Sequence, residues 1–320
     1  MPLARRLFMI LSFLTPLFAA APAHALICTM SASDVAFGNV DVLSGAPADA
    51  TGAVTIDCIG VPLTTLRICL NLNAGSGGAD ATSRFLLNGA NALRYQLYQD
   101  SSHTVIWGST TWGLPGGPPQ IDLPLSVLGT ASITVPMFGR IFGSQATVPP
   151  ALYTSNFSGS NVAFAYAIIA AFDCGSILQI PPLLSAVSFN VTASVIDNCM
   201  VTAQPIDFGS HGVLNANADA TGNISTVCTA GTNYTIGLDG GLSNGPPTAR
   251  KMTKGAEAVT YGLYQDLPRT QPWGNTIASD TVAGVGSGLT QNYGVYARVP
   301  AQQTPSSGLY SDTVVVTVTY

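Results

Sequence analysis

Residues 311–320 read SDTVVVTVTY. In an extended backbone Val314, Val316, Val318 and Tyr320 fall on one face and Thr313, Val315, Thr317 and Thr319 on the other, the period of two expected of a strand. β-Branched residues favour that state because they pack well on a pleated surface. A long flat strand left as an uncovered edge recruits other chains through its unpaired N–H and C=O groups. The sequence provides no strand after this one, so its expected partner comes from another polypeptide.

The start of the chain reads as an export signal. MPLARR is basic, LFMILSFLTPLFAA is apolar and Ala23-His24-Ala25 has the small-x-small pattern of a cleavage site, so residues 1–25 are expected to be removed. An uncleaved membrane anchor is the competing reading. It is weakened by the short run and by Pro16. The rest holds two lysines and one glutamate and is rich in small and hydroxyl residues. Long amphipathic helices lack their charged face in such a composition, and an all-β exported protein is expected. The net charge of −5 and the absence of a basic patch argue against nucleic acid as a partner.

The chain repeats itself. CTMSASDVAFGNVDVLSGAPADATGAVTIDC (28–58) matches CMVTAQPIDFGSHGVLNANADATGNISTVC (199–228) in its cysteines, its F-G pair and its A-D-A-T-G block. YQLYQD (95–100) matches YGLYQD (261–266), Trp107-Gly108 matches Trp273-Gly274, Arg140 answers Arg298, and LYTS (152–155) answers LYSD (309–312). Two copies of one β module follow, at 26–173 and 187–320, joined by a Pro-containing linker at 174–186. Six cysteines in an exported chain read as disulfides. The duplication pairs Cys28 with Cys58 and Cys199 with Cys228, leaving Cys69 and Cys174 to pair with each other. Close Cys or His pairs of the metal-binding kind are lacking, so no metal and no cofactor is expected.

The F-G pair after the first cysteine, YGLYQD followed by WG, and the ending GLYSDTVVVTVTY resemble the spore coat protein U family, which includes subunits of archaic, Csu-type chaperone/usher pili. The resemblance implies two tandem immunoglobulin-like β-sandwich domains, the second lacking its seventh strand. It further implies that a periplasmic pilus chaperone and then an adjacent pilus subunit supply that strand, and that an outer-membrane usher exports the subunit. The groove beside Val314, Val316, Val318 and Tyr320 is the expected acceptor. Val187, Phe189, Val191, Ala193 and Val195 alternate with polar or small residues and are read as a strand leading into the second module. Only Leu26 and Ile27 precede Cys28 after the signal, so no donor arm is expected, which is the layout of a tip adhesin at the cell surface. Whether a linker strand, with Ile177 to Leu184 as candidate, completes the first module is left open.

Positions matched between modules (Phe37, Tyr95, Tyr98, Trp107, Arg140) are read as scaffold. The first module has surplus apolar content around TTWGLPGGPPQIDLPL. Gly/Pro-rich loops holding Val42 and Leu43, then Trp112, Leu114, Pro115, Pro118 and Pro119, then Val148, Pro149 and Pro150 are expected at the pole far from the second module. There they would bind an abiotic or host surface by expelling water. The competing reading has Trp112 folding back onto the sandwich. A structural coat or surface-layer protein, and a glycan-binding module with Trp112 stacked on a sugar, are the alternative functions. His103, His211 and Glu257 show no catalytic spacing, GVGSGL (284–289) lacks the last glycine of a phosphate loop, and GSGGAD (75–80) has one acidic ligand, so an enzyme is not expected.

Overall fold

The computed structural model describes residues 26–110, 116–169, 174 and 187–320. The expected signal at 1–25 and the strand candidate Ile177 to Leu184 lie outside the described residues.

The architecture is all-β. In chain order the strands are β1 (Ile27–Ala32), β2 (Val35–Val40), β3 (Ala48–Ile59), β4 (Thr65–Leu72), β5 (Arg84–Asn88), β6 (Asn91–Tyr98), β7 (Gln120–Pro124), β8 (Thr130–Ile141), β9 (Ala151–Phe157), β10 (Val162–Ile168) and β11 (Phe189–Val195). They continue as β12 (Cys199–Ala203), β13 (Ala218–Cys228), β14 (Asn233–Leu238), β15 (Arg250–Lys254), β16 (Glu257–Tyr264), β17 (Val282–Val285), β18 (Gln291–Val299) and β19 (Val316–Thr319).

The first domain packs a sheet of order β1-β3-β8-β6-β5-β9-β11-β2 against one of order β10-β4-β7, and the second packs β12-β13-β18-β16-β15 against β17-β14-β19. Two separate cores result, one around Trp107 and one around Trp273. Each indole is fully buried and satisfies its N–H on a strand carbonyl: Trp107 Nε1 donates to Leu70 O and Trp273 Nε1 to Ile236 O, both at 2.9 Å.

The three disulfides have the connectivity read from the repeat: Cys28–Cys58, Cys69–Cys174 and Cys199–Cys228. The first and third join directly opposed residues of β1/β3 and β12/β13. Each closes a loop of about 30 residues, which chain-entropy arguments value at roughly 3–4 kcal/mol.

The five alternating residues from Val187 to Val195 are all buried, as a strand with one core face should be. Their place differs from the expectation. β11 does not lead into the second domain; it runs antiparallel to β9 and parallel to β2 in the first sheet. Periodicity revealed the strand but not its partners, because pairing is set by the vacant edges within reach. The first sheet therefore extends past 187, and the second begins at β12. Phe189 stacks on Phe157 with ring centroids 4.7 Å apart, and Asp34 Oδ1 accepts a hydrogen bond from Asn190 N at 2.7 Å. With β11 in place, both edges of β9 and β2 that face it are paired.

Matched charges hold matched strands together. Arg140 donates to both carboxylate oxygens of Asp49, each at 2.7 Å, and Arg298 grips Asp219 likewise at 2.7 and 2.8 Å. These hydrogen bonds, opposed by partial burial, hold both carboxyls below the usual carboxylate range. A depressed folded-state pKa contributes stability in full above the unfolded value near 3.9, and that contribution disappears as pH falls through the folded value. Both carboxylates are more than a third exposed, so screening reduces each contribution to about 0.5 kcal/mol.

Two outcomes are expected. Asp49→Asn with Asp219→Asn should lower the melting temperature at pH 7, and the difference from the native protein should shrink as pH falls below about 4, as followed by circular dichroism across pH. Val191→Asp puts a charge where the side chain has no solvent access, at a cost of several kcal/mol. Limited proteolysis should then cleave the first domain while leaving 199–320 protected.

Candidate functional site: an open groove in the second domain

The two domains share one frame but differ where β11 lies. In the first, β2 supplies one wall, β9 the other, and β11 fills the space between them. In the second, residues 204–210 follow β12 where β2 follows β1, but they form no strand. Residues 309–315 stand in the place of β9, and a single antiparallel bridge, Ser311 to Thr253, ties them to β15. Between these walls lies a cavity of about 380 Å³ whose lining includes Ile206, Phe208, Leu238, Tyr261, Val295 and Val316. The residual space in the first domain beside Val54, Leu72, Val162, Val187 and Phe189 is about 10 Å³. The same interior is thus packed shut in one copy and open in the other.

Local sequence explains the walls. Val316 and Val318 of β19 turn inward against the second core, and Val314 packs against it from just outside the strand. Ahead of them the backbone leaves the β14 sheet: Val315 N donates to Asp239 Oδ1 at 2.9 Å, and Asp239 N donates to Val315 O at 3.1 Å. The expected ten-residue strand is therefore shortened to Val316–Thr319. Val314 and Val316 line the cavity, Val318 does not, and Tyr320 is exposed, its hydroxyl 3.3 Å from Asn198 Oδ1. β19 is the outer strand of its sheet.

Polar groups sit at the groove's floor. Asp312 accepts hydrogen bonds from Leu242 N and Thr313 N at 2.8 Å each and from the Tyr261 hydroxyl at 2.7 Å. Burial and the bond to Asp312 push the Tyr261 phenol well above its usual range. Beneath lies Arg250, fully buried, donating to the carbonyls of Asp239, Pro247, Leu238 and Trp273. Arg84 occupies the same place in the first domain, donating to Asn73, Leu72 and Trp107 carbonyls and to Gln96. Desolvation lowers its pKa to about 10. Sequence reasoning missed this pair, although each arginine stands at the same offset before its tryptophan.

The loops expected at the far pole lie elsewhere. Asn198 Nδ2 donates to Asp41 Oδ2 at 2.8 Å, and a Cβ on Gly231 would stand 3.9 Å from Pro149. The 41–46 and 143–150 loops therefore face the second domain. A far-pole position requires the last strand of the first module to run toward the linker. Instead β9 and β10 run away from it and β11 returns, which reverses the poles. Val42 and Leu43 are core residues at 5% and 9% exposure, Pro119 is buried, and Pro118, Val148, Pro149 and Pro150 are half-buried. Trp112, Leu114 and Pro115 lie outside the described residues.

At the opposite end the surface is apolar. The 60–64 and 125–129 loops are tied by Gly60 N to Gly129 O at 2.8 Å and Leu63 N to Ser126 O at 3.2 Å. They display Leu63 at 75%, Val127 at 72% and Leu128 at 81% exposure, with Ile27, Ile59 and Val61 beside them. The signal in sequence was short: VPL and SVLG at the tips of two tight turns.

Chemistry-bearing side chains serve structure. Asp80 caps its own turn by accepting from Thr82 N and Ser83 N and pairs with Arg94. Glu257 anchors a loop by accepting from Ser306 and from the Tyr310 hydroxyl. His211 Nε2 lies 2.8 Å from Phe208 O, and His103 Nε2 lies 3.7 Å from Asp49 Oδ1. No group of three or more His, Cys, Asp or Glu suited to a metal ion occurs among the described residues.

Comparison with known proteins agrees with this architecture. The CsuC–CsuE chaperone–tip adhesion subunit pre-assembly complex from archaic chaperone-usher Csu pili of Acinetobacter baumannii superposes with a TM-score of 0.51 at 16% identity, covering 92% of this chain and all of that one. The CupB6 tip adhesin of Pseudomonas aeruginosa gives a TM-score of 0.38 at 12% identity, over 92% of this chain and 94% of that one. Protein U of Myxococcus xanthus is 30% identical over 174 residues, which are 48% of this chain and 97% of that protein. The Spore Coat Protein U domain profile matches residues 14–159 and again 185–317. With both repeats matched, the chain belongs to the Spore Coat Protein U domain family.

Proposed function

We propose that this protein is a two-domain adhesive subunit at the tip of an archaic chaperone/usher pilus, exported through the periplasm to the cell surface. The observation that carries the reading is the contrast between the filled groove of the first domain and the open groove of the second. A periplasmic chaperone occupies the open groove after export, an outer-membrane usher passes the subunit on, and a neighbouring subunit then donates a strand to the same place. The fold shared with the tip subunit of the Csu pre-assembly complex supports this reading. The first domain is complete without a partner and is free to face outward. Its apolar end, around Leu63, Val127 and Leu128, is the adhesive surface in place of the loops expected from sequence. Removing apolar area from water stabilises contact by about 25 cal/mol per Å², and contiguous exposed apolar patches mark interaction sites.

Co-expression with the periplasmic chaperone of the same pilus system should yield a one-to-one complex on gel filtration, and Ile206→Arg should abolish it. A stable, soluble monomer accumulating equally with or without the chaperone would instead favour a coat or surface-layer protein.

The triple change Leu63→Ser, Val127→Ser, Leu128→Ser alters only exposed side chains. It should lower cell attachment to polystyrene several-fold while pili remain visible by electron microscopy. Undiminished attachment, with loss on adding free sugars, would favour the glycan-binding reading centred on Trp112.

A further inference from the structure

The filled groove of the first domain specifies what the open groove of the second accepts, and the two differ at one position in a chemically decisive way. Resting on the docking reading above, β11 gives the register. Phe189, Val191, Ala193 and Val195 lie opposite Phe157, Ser155, Tyr153 and Ala151. The LYTS and LYSD match carries these partners to Val314, Asp312, Tyr310 and Gly308. Two cradle glycines confirm the alignment: a Cβ on Gly75 would meet Ser155 Oγ, and one on Gly241 would meet the Asp312 carboxylate. Where the first domain presents a buried serine to Val191, the second presents an aspartate.

That exchange changes the chemistry of the occupant. A carboxylate offers about four acceptor sites, and Asp312 fills three of them with Leu242 N, Thr313 N and the Tyr261 hydroxyl. It lines the cavity and is half-buried while the groove is open. A strand laid over it removes its remaining water. An aliphatic side chain there, such as the valine of β11, would leave the last acceptor site desolvated and unpaired, which is the costly case. A hydroxyl or amide would satisfy it with a charge-assisted bond.

We propose that the strand accepted by the second domain runs antiparallel to residues 308–314, carries apolar residues at alternate positions, and replaces one of them with Ser, Thr or Asn facing Asp312. The aspartate is then a specificity residue. It rejects strands whose inward residues are wholly apolar, including the chain's own β11, and so keeps that segment in the first domain.

The test uses the full secreted chain and two fluorescent peptides, one with the sequence of residues 187–195 and one with Val191→Thr in it. Binding is read by anisotropy and located by cross-linking to 308–316. The threonine peptide should bind the native chain about tenfold tighter, the order expected of one hydrogen bond to a charged group. Asp312→Ser, which installs the first-domain residue, should erase or invert the preference. If that variant does not fold, Asp312→Asn, which removes the charge at constant shape, should reduce it. Equal affinity of the two peptides, or a preference that survives both substitutions, overturns the role of Asp312 while the docking reading stands. Binding of neither peptide overturns the docking reading itself.

Discussion

An apolar sandwich interior cannot stay closed along a side where two facing backbone edges have no strand between them. Every backbone N–H and C=O on those edges must find a partner or remain in water. In the first domain β11 meets this demand: its inward residues are buried, and its backbone pairs on both sides, with β9 and β2. In the second the same demand is unmet, and its consequences are local. Residues 204–210 lose strand geometry, the approach to β19 is held by Asp239 instead of by a ladder, and Ile206, Leu238 and Val295 line a space that in the first copy is filled. The remainder of each domain, from the disulfide to the buried arginine and tryptophan, is the same frame built twice.

That frame explains how one half stays folded while its groove is open. Arg250 satisfies carbonyls from four residues around the groove floor, and Trp273 pins β14 from the other side. The Cys199–Cys228 bridge fixes the start of β12 to β13, and the ladder then runs through Ala203 opposite Ile224 before the chain leaves regular strand at 204–210. A covalent link at the far end of β12 stops fraying of that wall from spreading beyond this one strand.

Much of this was legible in the sequence where the signal is local or repeated. The period-two runs at 187–195 and 314–320, the matched cysteines and the Trp-Gly pairs gave the all-β class, the duplication and the disulfide connectivity. The misreadings share one cause. Alternation at Val187 to Val195 declares a strand but is silent about which sheet takes it, because pairing is a long-range property decided by which edges are vacant. The poles of the first domain fail for a related reason: they follow from the direction of its last strand, which the sequence does not show. Val42 and Leu43 then read as an exposed tip when they are core, while Leu63 and Leu128 went unremarked. Arg84 and Arg250 escaped for a different reason: burial of a guanidinium depends on carbonyls that only the folded chain brings together, and the shared offset to Trp107 and Trp273 was the one signal of it.

The position of the apolar end follows from the same strand. β3 crosses the first domain from Ala48, near the contact of Asp41 with Asn198, to Ile59, beside Val61 and Leu63. Its length of 12 residues corresponds to roughly 35–40 Å at about 3.3 Å per residue. β11 runs back along that axis and delivers Val195 next to Val40 and Ala151, so the second domain starts at the end opposite the exposed Leu63, Val127 and Leu128. Had β10 led straight into the second domain, those residues would face it and be covered. The returning strand therefore does two things by one pairing: it fills the first domain's own groove, and it leaves the apolar end uncovered at the pole opposite the second domain.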